Sequence, residues 1–238
     1  MRSRLSDMPT DRIIVALRPR HELDAMAANV ELTLMSIIQG VALYFVTDSS
    51  RVVISGLDWR YLPYVVCSVL IVVTVWSRSI LHAITVVRWP LEFGRNAMYV
   101  VVTVVEALLF TQIPTPARWY PMSLVMAVVF LMMFALEQRM YRLRRRDSGG
   151  PAGLALLDLL ETEHRTNLRV LMPLFCGSWL LLAGLVLAWP EVFITRDWHV
   201  ALGAIQALSI LGYFLTVLRF YARITDLILA ARTEWGES

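Results

Sequence analysis

Hydrophobic positions in this chain come in six nearly uncharged runs, at 30–47, 61–81, 97–113, 120–136, 170–189 and 200–218, separated by shorter polar stretches that hold most of the charge. At about 1.5 Å per residue each run is a helix of about 25 to 32 Å, the length needed to cross a hydrocarbon core near 30 Å thick. Helices are the only plausible form, because unpaired strands would leave backbone groups unsatisfied in lipid and no ten-residue alternating pattern indicates a barrel. The pattern therefore predicts an all-α, polytopic membrane protein with six transmembrane helices. Its parts are an N-terminal tail (1–29), helices one to four (30–136), a cytoplasmic loop (137–169), helices five and six (170–218) and a C-terminal helix or tail (219–238). The one apolar run of the N-terminal tail, from Ile13 to Leu17, is too short for a secretory signal, so no cleaved leader is expected.

Arginine placement orients the bundle. The N-terminal tail, the segments after helices two and four, and the C-terminal tail carry 17 arginines, whereas the alternate segments hold only Arg51, Arg60, Arg118 and Arg196. The positive-inside rule then puts both termini in the cytoplasm, and the membrane expected is a bacterial-type inner one. Trp59, Tyr61, Tyr64, Trp119, Tyr120, Trp189 and Trp198 are expected to form an outer interfacial belt, and Trp89, Tyr141 and Tyr221 an inner one. In the longest cytoplasmic segment, Arg142, Arg144, Arg145 and Arg146 precede the breaker Ser148-Gly149-Gly150-Pro151. The stretch 152–165 then sets leucines against Asp158, Glu161 and Glu163, the pattern of an amphipathic helix lying on the membrane or on a partner. The four arginines read as anchors to anionic headgroups, without the aromatic interleaving that would point to nucleic acid.

Composition narrows the chemistry. The chain is 58% hydrophobic and 17% charged, with a mean hydropathy of +0.61. All 22 basic residues are arginine, which excludes Walker-A, Schiff-base and kinase-type lysines. Cys67 and Cys176 fall in apolar runs and read as small buried hydrophobes. The four histidines are scattered, and Glu161-Thr-Glu-His164 supplies only one half of a di-iron ligand set. No hydrolase, zincin or redox motif is present. No enzyme activity, cofactor, metal site or catalytic residue is expected; the bilayer and a homo-oligomeric or membrane-complex partner are.

Polar side chains inside the runs are the remaining candidates for function. Gln39, Glu106, Ser178 and Ser209 all lie near the midpoints of their runs, which allows a shared polar layer. Glu106 has two readings, a buried structural hydrogen bond with Gln39 as one partner, or part of an ion or proton path. Ser36, Gln39 and Leu43 recur at i, i+3 and i+7 on the least hydrophobic run. Arg78 sits toward the inner end of its run with His82 one turn on, and either snorkels or pairs with Glu31 or Glu137. Small residues four apart, as at Gly184/Ala188 and Gly203/Ala207, permit close helix packing.

The stretch Ile37-Ile38-Gln39-Gly40-Val41-Ala42 resembles the place where the endolysosomal potassium-channel family and its bacterial relatives carry Phe-Ser-Asp-Gly-Val. Trp76 and His82 resemble that family's Trp and His, and Ile113-Pro114-Thr115-Pro116 its Pro-Phe-x-Thr turn. The family's Phe-Ser-Asp falls here on Ile37, Ile38 and Gln39, and its preceding Arg on Thr33. The resemblance implies a six-helix unit that assembles into an oligomer, with the first span lining a cation path and an apolar constriction near Leu43. The leading expectation is a channel-like or transport-like protein moving a small cation, with Gln39 and Glu106 lining or coordinating the path and an apolar ring including Leu43 gating it by dewetting. The alternative is a non-conducting scaffold, sensor or assembly subunit that binds a partner or anionic lipid through its Arg-rich loop.

Overall fold

The computed structural model describes residues 10–86, 93–147 and 150–237. Seven helices carry the chain: α1 (Thr10–Ser55), α2 (Leu62–Thr85), α3 (Phe93–Phe110), α4 (Pro116–Asp147), α5 (Pro151–Thr166), α6 (Met172–Ala188) and α7 (Trp198–Glu237), with no strand among the described residues. Each predicted run falls in a different helix, and α1, α4 and α7 continue well beyond theirs. Five stretches, Ala25–Ser55, Trp59–Thr85, Pro116–Tyr141, Pro151–Ala188 and Trp198–Ala231, are long and apolar enough to cross a membrane. Helix α3, with 18 residues, packs between α1 and α4.

Helix α5 runs almost directly into α6. The joint is a π-helical turn, Asn167–Leu171, in which the Met172 N–H donates to the Asn167 carbonyl five residues back. Pro173 follows at once, and a proline ring clashes with the carbonyl four residues earlier, so the wider turn admits it without breaking the rod. The cytoplasmic segment predicted at 137–169 is consequently two helices, the end of α4 and all of α5. Leu156, Leu157 and Leu160 of α5 are buried against Met140 and Tyr141 of α4 and Ile224, Ile228 and Ala231 of α7, so the leucine face expected to meet a membrane or partner is covered by the chain itself.

The helices pack in the series α6, α4, α3, α1, α2, α7, and Phe175 of α6 meets Tyr213 of α7 edge-on where the two ends of that series face each other. Packing is closest between α2 and α7, where a Cβ on Gly203 would stand 3.2 Å from Pro63 Cβ and 3.4 Å from Tyr64. It is loosest at the seam between α6 and α7, where α6 leans on α4 and α7 on α2. Leucines 174, 180, 181 and 187 of α6 and Ile205, Leu208 and Leu215 of α7 are exposed on the outside of the ring.

Gly203 is thus a contact glycine, while Gly184 has nothing within 4 Å of the same position. Gly203→Leu is expected to cost about 1 to 3 kcal/mol through overpacking, and Gly184→Leu less than about 0.5 kcal/mol. Thermal unfolding of purified protein in detergent measures both.

Candidate functional site

Polar and charged side chains collect in three layers along the bundle. The first lies at the end that carries α5. Glu31 of α1 and Arg95 of α3 form an ion pair there with both side chains buried. Across the bundle, Arg78 of α2 donates from Nη1 to the Tyr213 hydroxyl of α7 at 2.8 Å and from Nη2 to Glu137 Oε2 of α4 at 3.4 Å. Its guanidinium also rests 4.1 Å from the ring centroid of Phe134, one turn before Glu137 on α4. His164 of α5 donates from Nε2 to the Phe134 carbonyl at 2.8 Å, which leaves Nδ1 facing Glu137 Oε2 at 3.7 Å. Tyr141 tilts against the His164 ring and meets His82 edge-on. Of the two partners expected for Arg78, the structure places Glu137 beside it and gives Glu31 to Arg95.

The middle layer is sparse. Glu106 of α3 has no exposure and Gln39 of α1 is 3% exposed; Gln39 is the polar group that faces Glu106, yet neither side chain completes a hydrogen bond of normal geometry. Ser178 and Ser209 donate to carbonyls of their own helices, Phe175 at 2.9 Å and Gln206 at 2.7 Å. They do not join Glu106 in a shared layer.

Helix α1 divides the residues expected to share one face. Its buried side is Glu31, Met35, Ile38, Gln39, Ala42, Val46, Ser50 and Val53. At roughly 100° per residue, Ser36 and Leu43 lie about 80 to 100° from the centre of that face. Both are exposed, Leu43 by 45%, and the Ser36 hydroxyl donates to the Leu32 carbonyl on the outside. The i, i+3, i+7 spacing spans an arc that crosses the edge of the packed surface, so Gln39 points in and its two neighbours point out. Asn29, Thr33, Ser36, Gly40, Leu43 and Thr47 form a continuous exposed strip in which only Leu43 is large and apolar.

The third layer, at the opposite end, replaces much of the expected aromatic belt. Trp59, Trp189 and Trp198 are exposed, but Tyr64, Trp119 and Tyr120 are wholly buried. The Tyr64 hydroxyl lies 3.1 Å from that of Tyr120 and 2.9 Å from His199 Nδ1. Tyr120 donates to the His199 carbonyl at 2.7 Å, and the Trp119 indole donates to Gln206 Oε1 at 2.8 Å. Asp197, at φ 58°, turns its carboxylate to within 3.4 Å of both His199 Nε2 and Arg60 Nη1. Side-chain hydrogen bonds from Arg60 hold the half-buried Asp58 carboxyl below the usual carboxylate range. Tyr141, expected at the inner interface, is buried in the first layer. The side chains of Trp89, Arg142, Arg144, Arg145 and Arg146 lie outside the described residues, although the four arginines fall on the α4 backbone.

These layers offer charge and hydrogen bonding, and among the described residues no three His, Cys, Asp or Glu side chains are grouped to hold a metal. Arg95, His164, Tyr213 and His199, which the sequence reading did not place between helices, do much of the joining, together with Tyr64 and Tyr120, which it placed at the outer interface. No known family model matches the chain, and no curated protein or solved structure is significantly similar to it.

Removing one member of a buried ion pair takes from the other its counter-charge while leaving its desolvation cost in place. Arg95→Met is therefore expected to cost about 3 to 5 kcal/mol, while the double variant with Glu31→Met regains most of the loss. Chemical denaturation in mixed micelles compares the two.

Proposed function

We propose that the protein is a six-span, channel-like protein of a bacterial-type inner membrane, with α3 as its sixth span and both termini cytoplasmic. It assembles as an oligomer in which the outer strip of α1 lines a path for a small cation. The observation that carries this reading is the strip itself. Hydroxyl, amide and glycine positions from Asn29 to Thr47 stand exposed on a helix long and apolar enough to span, beside a second exposed strip of Val30, Ile37, Val41 and Tyr44 suited to lipid or to a neighbouring copy. The hydroxyls of Thr33, Ser36 and Thr47 each donate to the carbonyl four residues back, which leaves their oxygen lone pairs facing outward. Leu43 is the large apolar side chain in the strip and would form the constriction that gates by dewetting. The resemblance of this stretch to the potassium-channel family supports the same helix.

On this reading Gln39 and Glu106 are not pore groups. They belong to the sealed interior of each subunit, and the path runs on the opposite face of α1. A second reading is the non-conducting one, in which Arg142, Arg144, Arg145 and Arg146 engage anionic lipid. It is favoured by the continuous α4 helix, which carries those four positions beyond Tyr141 on a rigid rod.

Cation flux into liposomes holding purified protein separates the two. Leu43→Ala is expected to raise flux and Ser36→Leu to lower it, each by about tenfold, equivalent to a barrier change near 1.4 kcal/mol. Glu106→Gln leaves flux unchanged. Leak equal to that of empty vesicles, unaltered by either α1 substitution, rejects conduction and leaves the lipid-binding reading.

A further inference from the structure

Among the described residues the buried acidic side chains are Glu31, Glu106, Glu137 and Glu161. Three of them meet an arginine: Glu31 pairs with Arg95, Glu137 with Arg78 and Glu161 with Arg165. Glu106 does not. It lies wholly inside the bundle, about 16 Å along α3 from Arg95, whose charge Glu31 already opposes. Helices α1 and α4 pack against α3. Among the described residues no charged group on either helix acts on Glu106, and Gln39 of α1 is the polar group that faces it. Thr103, one turn back on α3, donates its hydroxyl proton to the Tyr99 carbonyl at 3.1 Å and has none to offer. An ionised carboxylate at this place would be a charge with neither water nor a counter-ion, which apolar surroundings do not sustain.

Donor and acceptor numbers identify what is missing. An ionised carboxyl only accepts, whereas a primary amide donates from its nitrogen and accepts at its oxygen. Face to face with Gln39, a carboxylate could accept from Nε2, and Gln39 Oε1 would be left with no donor. One proton on Glu106 alters this: its O–H donates to Gln39 Oε1, Gln39 Nε2 donates to the other carboxyl oxygen, and a closed ring of two hydrogen bonds engages all four atoms. Those four, Oε1 and Oε2 of Glu106 and Oε1 and Nε2 of Gln39, are the atoms that lie buried here without a partner. Each is closed to water, and a proton is the one ligand that needs no room.

We propose that Glu106 and Gln39 form an occluded proton-binding site, in which Glu106 is held as the neutral acid and donates to the Gln39 amide oxygen. The proton does for Glu106 what an arginine does for the other buried acids: it answers the negative charge and links two helices, here α1 and α3 at mid-bundle. The site lies on the face of α1 opposite the outer strip and stands or falls separately from conduction.

Infrared spectra of the full-length protein in nanodiscs at neutral pH, recorded for the wild type and for Glu106→Gln, test the proposal. The difference between them should contain a carbonyl band of a protonated carboxylic acid, lost in the variant, and no lost carboxylate bands. Gln39→Leu should keep the acid band but move it to higher frequency, because the acid loses its hydrogen-bond partner. The exchanged pair, Gln39→Glu with Glu106→Gln, rebuilds the same ring with its ends reversed and should show the acid band again, a result that a merely space-filling role would not give. Replacing sodium and potassium chloride by choline chloride should leave the wild-type band and the thermal midpoint unchanged. Carboxylate bands lost in Glu106→Gln, an acid band unmoved by Gln39→Leu, or a midpoint that falls in choline for the wild type but not for Glu106→Gln overturns the proposal, the last by assigning the site to a metal cation.

Discussion

A charge inside an apolar bundle has no solvent to fall back on, so it must meet its opposite on a neighbouring helix, and that requirement sets the registers on which this structure depends. Glu31 and Arg95 fix α1 against α3. Arg78, held by Glu137 and Tyr213, fixes α2 against α4 and α7, and His164 brings the α5–α6 rod into the same group. Hydrophobic contact alone would not choose among sliding arrangements of greasy helices. At the far end the Tyr64, Tyr120 and His199 cluster makes a second set of ties between α2, α4 and α7. Two anchored ends leave the middle to be filled by side-chain packing.

That division explains where the packing is loosest. The ties at the two ends join α4 to α7 and α2 to α7, while α6 rests chiefly on α4 and on its continuity with α5, and meets α7 where Phe175 packs edge-on against Tyr213. On the other side of the ring, α1 keeps its polar strip away from the packed core, exposed on the outer surface. Interior polarity serves assembly of the subunit, and exterior polarity is where conduction is proposed.

Much of the architecture is legible in the sequence because run length and polarity determine which segments become helices. Which way each helix faces is less legible. Within a run of Val, Leu and Ile nearly every position is apolar, so only the polar residues mark a side. On α3 the signal is present: Arg95 and Glu106 are eleven residues apart, within roughly 20° on a helix, and Tyr99 lies between them on the same buried stripe. On α1 the grouping of Ser36, Gln39 and Leu43 fits a single face equally well, and only the partners on α2 and α3 reveal that the packed surface ends between them. The aromatic residues show a similar ambiguity. Tyr64, Trp119 and Tyr120 sit at the ends of their runs, as interfacial anchors do, and their burial follows from His199 and Gln206, which are far away in the chain. His164 reads as part of a loop helix because nothing in the spacing announces that a π turn at Asn167–Leu171 carries that helix directly into α6.

The central claim is that α1 has a dry face turned into the subunit and a wet face turned out of it. Reaction of single cysteines with a water-soluble thiol reagent in native membranes tests it most directly, in a chain whose Cys67 and Cys176 have been replaced. The account predicts fast modification at Ser36→Cys, Gly40→Cys and Thr47→Cys, and protection at Gln39→Cys and Ala42→Cys. Protection along the outer strip, with reaction at position 39, would place water inside the subunit and contradict it.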